Sequence, residues 1–341
     1  MMKAIQIEKP FSIGITEVDK PTQKTNEALV KIVTAGICGS DVSAYRGGNN
    51  LVNYPLIIGH ELAGVIEEIS PNNKGLKVGD RVILDPYIYC GDCYPCKLGR
   101  TNCCTNLRVL GVQTTGGMSN YICHPVELLI KIPDEMTWEE ASMVEPLTIS
   151  LHGIHRGRLQ ENEYCAIIGA GPIGVVAAMV AKAYNAIPII IDIVDERLNF
   201  ARSLGITYTI NSDKENLVDT ISNITSGNMA QLVMECSGSN SAIRDCLDIV
   251  SNAGRITLTG WPKNETSLPT DIITKKELDV LGARTSVNEF QESINLILSK
   301  SVDMNLIHMK TIVLDQVPQY IEDMNLYPNK YMKVIVKISE L

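Results

Sequence analysis

Apolar and polar residues alternate over residues 3–7 and again over 28–37, with Pro10 and Pro21 between them. A period of two broken by prolines predicts the strands of a β-rich domain. Residues 62–69 and 82–84 read as further strands, each entered through a glycine-containing turn, Ile58-Gly59-His60-Glu61 and Gly79-Asp80-Arg81. Near residue 150 the rhythm changes. Apolar runs at 165–168, 187–191, 208–210, 231–236, 255–259 and 278–282 now alternate with helical patterns at 195–204, 214–225 and 239–249. Strands separated by helices in this way predict an α/β fold with a doubly wound parallel sheet. A helix over 290–299 follows, and Val334 to Ile338 returns to strand. The tail is therefore expected to rejoin the first domain. The organisation read from the pattern is 1–149 for the β-rich domain, 150–286 for the parallel sheet, and 287–341 for the return.

The first parallel strand carries the clearest local chemistry. It ends in Gly169-Ala-Gly171-Pro172-Ile173-Gly174, and the second strand ends in Asp192. In a strand–turn–helix setting the three glycines have separate jobs. Gly169 permits the tight turn, Gly171 lets a pyrophosphate approach the backbone, and Gly174 lets helix and strand pack closely. Pro172 suits the first helical turn, where its missing N–H costs nothing. The free amides at that helix start attract phosphate. An acidic residue roughly 20 positions beyond such glycines holds a ribose 2′-hydroxyl, and Asp192 has that place. A carboxylate there repels a 2′-phosphate, so the predicted cofactor is NAD rather than NADP. Arg197, one turn into the next helix, is placed near the adenosine.

Cysteine usage adds a second centre. Ten cysteines in 341 residues include Cys90-x2-Cys93-x2-Cys96-x7-Cys104. Four thiolates so close in sequence can surround one tetrahedral zinc and leave no open position, which makes the site structural. Spacing alone does not choose between Cys103 and Cys104. Lys and Arg number 30 against 39 Asp and Glu, a net charge of −9. That balance argues against a nucleic-acid or anionic-membrane partner. No apolar run reaches membrane-spanning length and the N-terminus lacks the form of a signal peptide, so a cytoplasmic location is predicted.

Cys38-Gly-Ser40-Asp41, Gly59-His60-Glu61, the four-cysteine loop, Glu145-Pro146-Leu147 and the glycine turn occur in the order found in zinc-dependent medium-chain dehydrogenases. The chain resembles the polyol (sorbitol) branch of that family, and residues 99–117 have a local likeness to bacterial L-galactonate dehydrogenase. The resemblance implies a GroES-like catalytic domain beside a Rossmann cofactor domain, in a homodimer or homotetramer. It implies two zinc ions, one catalytic and one structural, and it matches Cys104 to the fourth ligand of the loop. It places the catalytic zinc on Cys38 and His60, with Glu61 and Glu145 as the candidates to complete it. Adjacent residues of a regular strand point to opposite faces, so His60 and Glu61 reach one ion only through a local distortion, which Gly59 permits. With a regular strand, Glu145 would be the direct ligand instead. Ser40 matches the hydroxyl that takes the substrate's proton, and Asp41 is expected to cap a turn or orient His60. His152 and His155 read as packed or solvated side chains. The implied reaction is hydride transfer from a secondary alcohol of a polyol or sugar acid to NAD+. A phosphorylated polyol or L-threonine would be the alternative substrate, and a non-catalytic NAD-binding regulator the alternative role.

Overall fold

The computed structural model describes residues 1–340. It divides into two compact units, one of residues 1–145, 290–298 and 304–341, the other of 146–289 and 299–303. In the first unit a seven-stranded sheet runs in the order Leu129–Lys131, Arg81–Leu84, Glu61–Ile69, Glu27–Ile37, Lys333–Lys337, His308–Val313, and Tyr121–Pro125 also pairs with Glu27–Ile37. The C-terminal strand thus lies antiparallel to Glu27–Ile37, with Val334 opposite Ile37 and Ile335 opposite Gly36. On the other edge of that same central strand, Gly36 faces Glu61. Three strands far apart in the chain therefore meet at Gly36.

Ile32, Ile37, Leu62, Val82, Val334 and Val336 fill the core of this unit, each almost wholly withdrawn from solvent. Val334 and Val336 alternate along their strand, while a register shift between Ile32 and Thr34 lets Ile32 and Ile37, five residues apart, reach the same core. One stretch read as a turn is helical. Gly39–Tyr45 forms two turns beginning at Cys38, whose amide donates to Asp41 Oδ2 at 2.9 Å. A carboxylate at that place satisfies an amide left unpaired by the helix start.

The second unit holds six parallel strands in the order Tyr208–Asn211, Ile187–Asp192, Tyr164–Ile168, Ala230–Glu235, Val250–Leu258, Asp279–Gly282. The order reverses between the first and fourth strands in sequence, the switch point at which such sheets bind ligands. Ile189, Ile191, Val233 and Ile256 are fully or almost fully buried, in keeping with a sheet covered on both faces. A short helix, Thr270–Lys276, was not apparent in the apolar pattern. Among the described residues, no helix is long and apolar enough to cross a membrane.

Candidate active site

In the first unit Cys38, His60 and Glu61 bring one donor atom each to within 4.8 Å of one another. Two ligands on a zinc ion, each at about 2.0–2.3 Å, can stand no more than about 4.6 Å apart, so the group is nearly closed to that span. The distortion that lets neighbours share a target is visible. Gly59 has φ +98°, and the regular strand begins only at Glu61. A side chain at Gly59 would also strike Met118, whose Cβ would be 2.8 Å from the added carbon. His60 therefore leaves the turn on its own heading while Glu61 takes the strand's.

Glu61 is pinned by a partner that the sequence pattern did not reveal. Lys333 Nζ donates to both of its carboxylate oxygens, at 2.7 and 2.8 Å, and the two side chains are 3% and 1% exposed. The contact crosses the central strand, and only glycine allows it: a Cβ on Gly36 would lie 1.8 Å from Glu61 Oε2. A glycine inside an apolar strand often marks such a close approach, and Gly36 was the one local sign of it. Burial alone would lower the Lys333 pKa, but Glu61, Cys38 and Glu145 outweigh it and raise it, so the ammonium stays charged.

Glu145 lies outside the Cys38–His60–Glu61 group. Its Oε1 accepts a hydrogen bond from the Tyr87 hydroxyl, a second partner missed in the sequence. Burial raises the Glu145 pKa. Asp41, also raised by burial, puts Oδ1 3.9 Å from His60 Nδ1, and neither atom has a hydrogen-bond partner. Ser40 Oγ is 3.5 Å from His60 Nε2. Burial works to lower the His60 pKa, yet Cys38, Asp41 and Glu145 carry it well above the usual imidazole value. Three buried carboxyls and a thiol thus surround the Lys333 ammonium and one imidazole. Buried acids gathered in this way are costly to ionise without a further cation, and a thiol, an imidazole and a carboxylate are donors suited to zinc.

The four-cysteine loop closes on itself. Sγ of Cys93 is 3.4 Å from that of Cys96 and 3.8 Å from that of Cys104, and Cys104 is 3.5 Å from Cys90. Sulfurs at the corners of a zinc tetrahedron stand about 3.8 Å apart, while a disulfide needs about 2.05 Å. Cys104 rather than Cys103 joins the group. Amides of Cys90 and Asn106 donate to Cys104 Sγ, each at 3.3 Å. Amides of Thr105 and Cys96 draw the Cys93 thiol down to about 6, whereas burial pushes Cys96 up to about 12. The donors fit a closed structural zinc.

On the second unit Gly169 has φ +104°, and a Cβ on Gly174 would stand 1.8 Å from Gly169 O. Gly171 caps the helix Pro172–Ala183, and a Cβ there would meet nothing within 4 Å. The turn, the close packing and the open approach fall on the three glycines separately. Asp192 is held by the Ala170 amide at 2.7 Å and by those of Ile193 and Val194 at 2.8 and 2.9 Å. Arg197 stands 3.6 Å from its Oδ2. Ile173 follows Pro172 in the first helical turn, and its carbonyl accepts from Ser150 Oγ at 2.8 Å. His152 is packed, with Nδ1 2.9 Å from Glu289 Oε1.

A family model of the alcohol dehydrogenase GroES-like domain matches residues 24–134, and one of zinc-binding dehydrogenases matches 172–299. A zinc-type alcohol dehydrogenase-like protein of Haemophilus influenzae is 48% identical over 334 residues, which cover 98% of each chain. This chain belongs to the zinc-binding dehydrogenases. Other members of this dehydrogenase family lie further off. The sorbitol dehydrogenase of Bacillus subtilis is 33% identical, over 98% of this chain and 97% of its own. The crystal structure of the alcohol dehydrogenase rspB from Escherichia coli CFT073, complexed with NADH, is 35% identical. It superposes with a TM-score of 0.93 over 98% of this chain and 99% of that one.

Proposed function

We propose that this dehydrogenase oxidises a secondary alcohol on a polyol or sugar acid with NAD+ as acceptor. The reading rests above all on the Cys38–His60–Glu61 group, which offers three donors and so leaves a fourth position for a substrate oxygen. When bound, zinc supplies a Lewis acid that lowers the pKa of an oxygen ligand, and NAD+ supplies the hydride acceptor. Cys38 and Glu61 would give the anionic donors, and His60 a neutral nitrogen. Cys90, Cys93, Cys96 and Cys104 would hold the second, structural ion. Ser40 Oγ, half-buried beside His60 Nε2, takes up the proton that the alcohol releases and passes it towards solvent. Gly169, Gly171 and Gly174, with the amides after Pro172 and Ile173, would seat the pyrophosphate. Asp192 is held with its carboxylate at the end of its strand, where it would accept the ribose hydroxyl and repel a 2′-phosphate, with Arg197 alongside. The NADH in the rspB structure and the sorbitol dehydrogenase relative support the choice of cofactor and of substrate class.

The test is NADH formation, followed by absorbance, with sorbitol, L-galactonate, galactitol phosphate and L-threonine. Turnover of sorbitol or L-galactonate is expected, with NAD+ preferred to NADP+. Turnover confined to the phosphate or to threonine would replace the substrate class. Failure with every alcohol offered would favour a non-catalytic NAD-binding role.

A further inference from the structure

Two buried glutamates lie near the same thiol and imidazole, yet only Glu61 joins the donor group. Lys333 already faces both oxygens of Glu61, so that side chain is held across Gly36. Glu145 is instead bonded through Oε1 to the hydroxyl of Tyr87. We propose that Tyr87 is a positioning residue whose hydroxyl holds the Glu145 carboxylate outside the Cys38–His60–Glu61 group. The metal then draws one carboxylate from the chain and keeps a position free for substrate. The proposal depends on the metal-centre reading of that group.

The placement of Tyr87 is built rather than incidental. Its ring is 4% exposed, which fixes the phenol's direction by packing. Asp85 Oδ1 accepts the Tyr87 amide at 3.0 Å, and the Asp85 amide donates to Leu128 O at 2.8 Å, so the chain enters the tyrosine through a tied turn. Tyr87–Ile88 then pairs antiparallel with Arg108–Val109, and the four-cysteine loop emerges between these two strands. The ladder that roots the sulfur centre therefore also sets the origin of the Tyr87 side chain. A hydrogen bond to a carboxylate is among the stronger ones in a protein interior and can decide between two nearby resting places for one side chain. Nothing in the local sequence marks Tyr87, because its partner lies 58 residues away.

Tyr87→Phe removes the donor and keeps the ring. In protein loaded with cobalt, the difference spectrum against Cys38→Ser isolates this centre from the four-sulfur one. In Tyr87→Phe the d–d bands are expected to move, and the half-life for metal removal by a chelator to lengthen about tenfold, a change of about 1.4 kcal/mol. Both changes should vanish in Tyr87→Phe/Glu145→Gln, because the carboxylate that had been freed is gone. A merely structural role would leave the double variant as altered as the single one, and that result overturns the proposal. So does a Tyr87→Phe protein with wild-type bands and half-life. If Cys38→Ser binds as much cobalt as wild type, the metal-centre reading itself is wrong.

Discussion

The two candidate metal centres of the first unit solve the same problem in opposite ways. The four-sulfur centre takes all its donors from fifteen consecutive residues, and one of them, Cys90, is exposed. Few side chains from elsewhere in the chain are needed, since backbone amides supply the contacts to sulfur. The Cys38–His60–Glu61 centre gathers donors from two separate stretches of the chain, a helix start and a strand entry, and two of its three donors are buried. Lys333 faces one of them directly, and Asp41 stands close to another. A closed site needs only enough sulfur to hold an ion. An open one must hold its donors in place while part of the ion's surface is left to substrate, so it requires a shell of supporting polar groups.

Removing one thiol from each centre separates the two roles most sharply. Cys38→Ser should cut kcat by at least about a thousandfold, some 4 kcal/mol of transition-state stabilisation, with one metal equivalent lost and little change in Tm. Cys96→Ser should also lose one equivalent, but with a fall in Tm of roughly 10 °C and with turnover retained in the protein that stays folded. Metal analysis, calorimetry and NADH formation on the two variants check this. Equal falls in Tm for both would erase the distinction.

The supporting shell gives the next largest effect. Lys333→Met leaves the Glu61 carboxylate buried without its counter-charge, and breaking a buried pair from one side costs about 3–5 kcal/mol. That loss should appear in full in metal-free protein. With zinc present it should shrink, because the carboxylate then faces a cation. Chemical denaturation with and without zinc measures the difference. An identical loss in both states would mean that Glu61 answers to the lysine alone.

The same contrast explains what could be read from residue order. The cysteine loop and the glycine turn were legible because their parts are local. Cys90 to Cys104 and Gly169 to Gly174 carry their spacing within one loop and one turn. The parallel sheet was legible because its strands are continuous apolar runs. Lys333 and Tyr87 were not. Lys333 looks like the polar edge of an apolar strand until the register sets it across Gly36 from Glu61. Tyr87 looks like one more aromatic in a β-rich segment. That His60 and Glu61 both bring donors to one group follows from the backbone angle at Gly59, which composition does not encode.

Histidines carry the comparison to its finest scale. His60 and His124 are both buried in the first unit, and in each Nδ1 has no hydrogen-bond partner. Near His60 stand a thiol and two carboxylates, and the imidazole is drawn upward despite its burial. The His124 ring meets the carbonyl of Asp85, 2.8 Å from Nε2, and burial lowers its pKa to about 4. The folded state therefore keeps His124 neutral while the unfolded chain protonates it near the ordinary value of about 6.5. Stability from this group is fully present above about pH 6.5 and is lost as pH falls through 4, by about 3 kcal/mol over the window. In His124→Asn that part of the pH dependence should disappear, leaving a flatter slope between pH 6.5 and 4 in chemical denaturation. An unchanged slope would place the acid-sensitive group elsewhere. His124 would then lose its standing as the structural counterpart of His60.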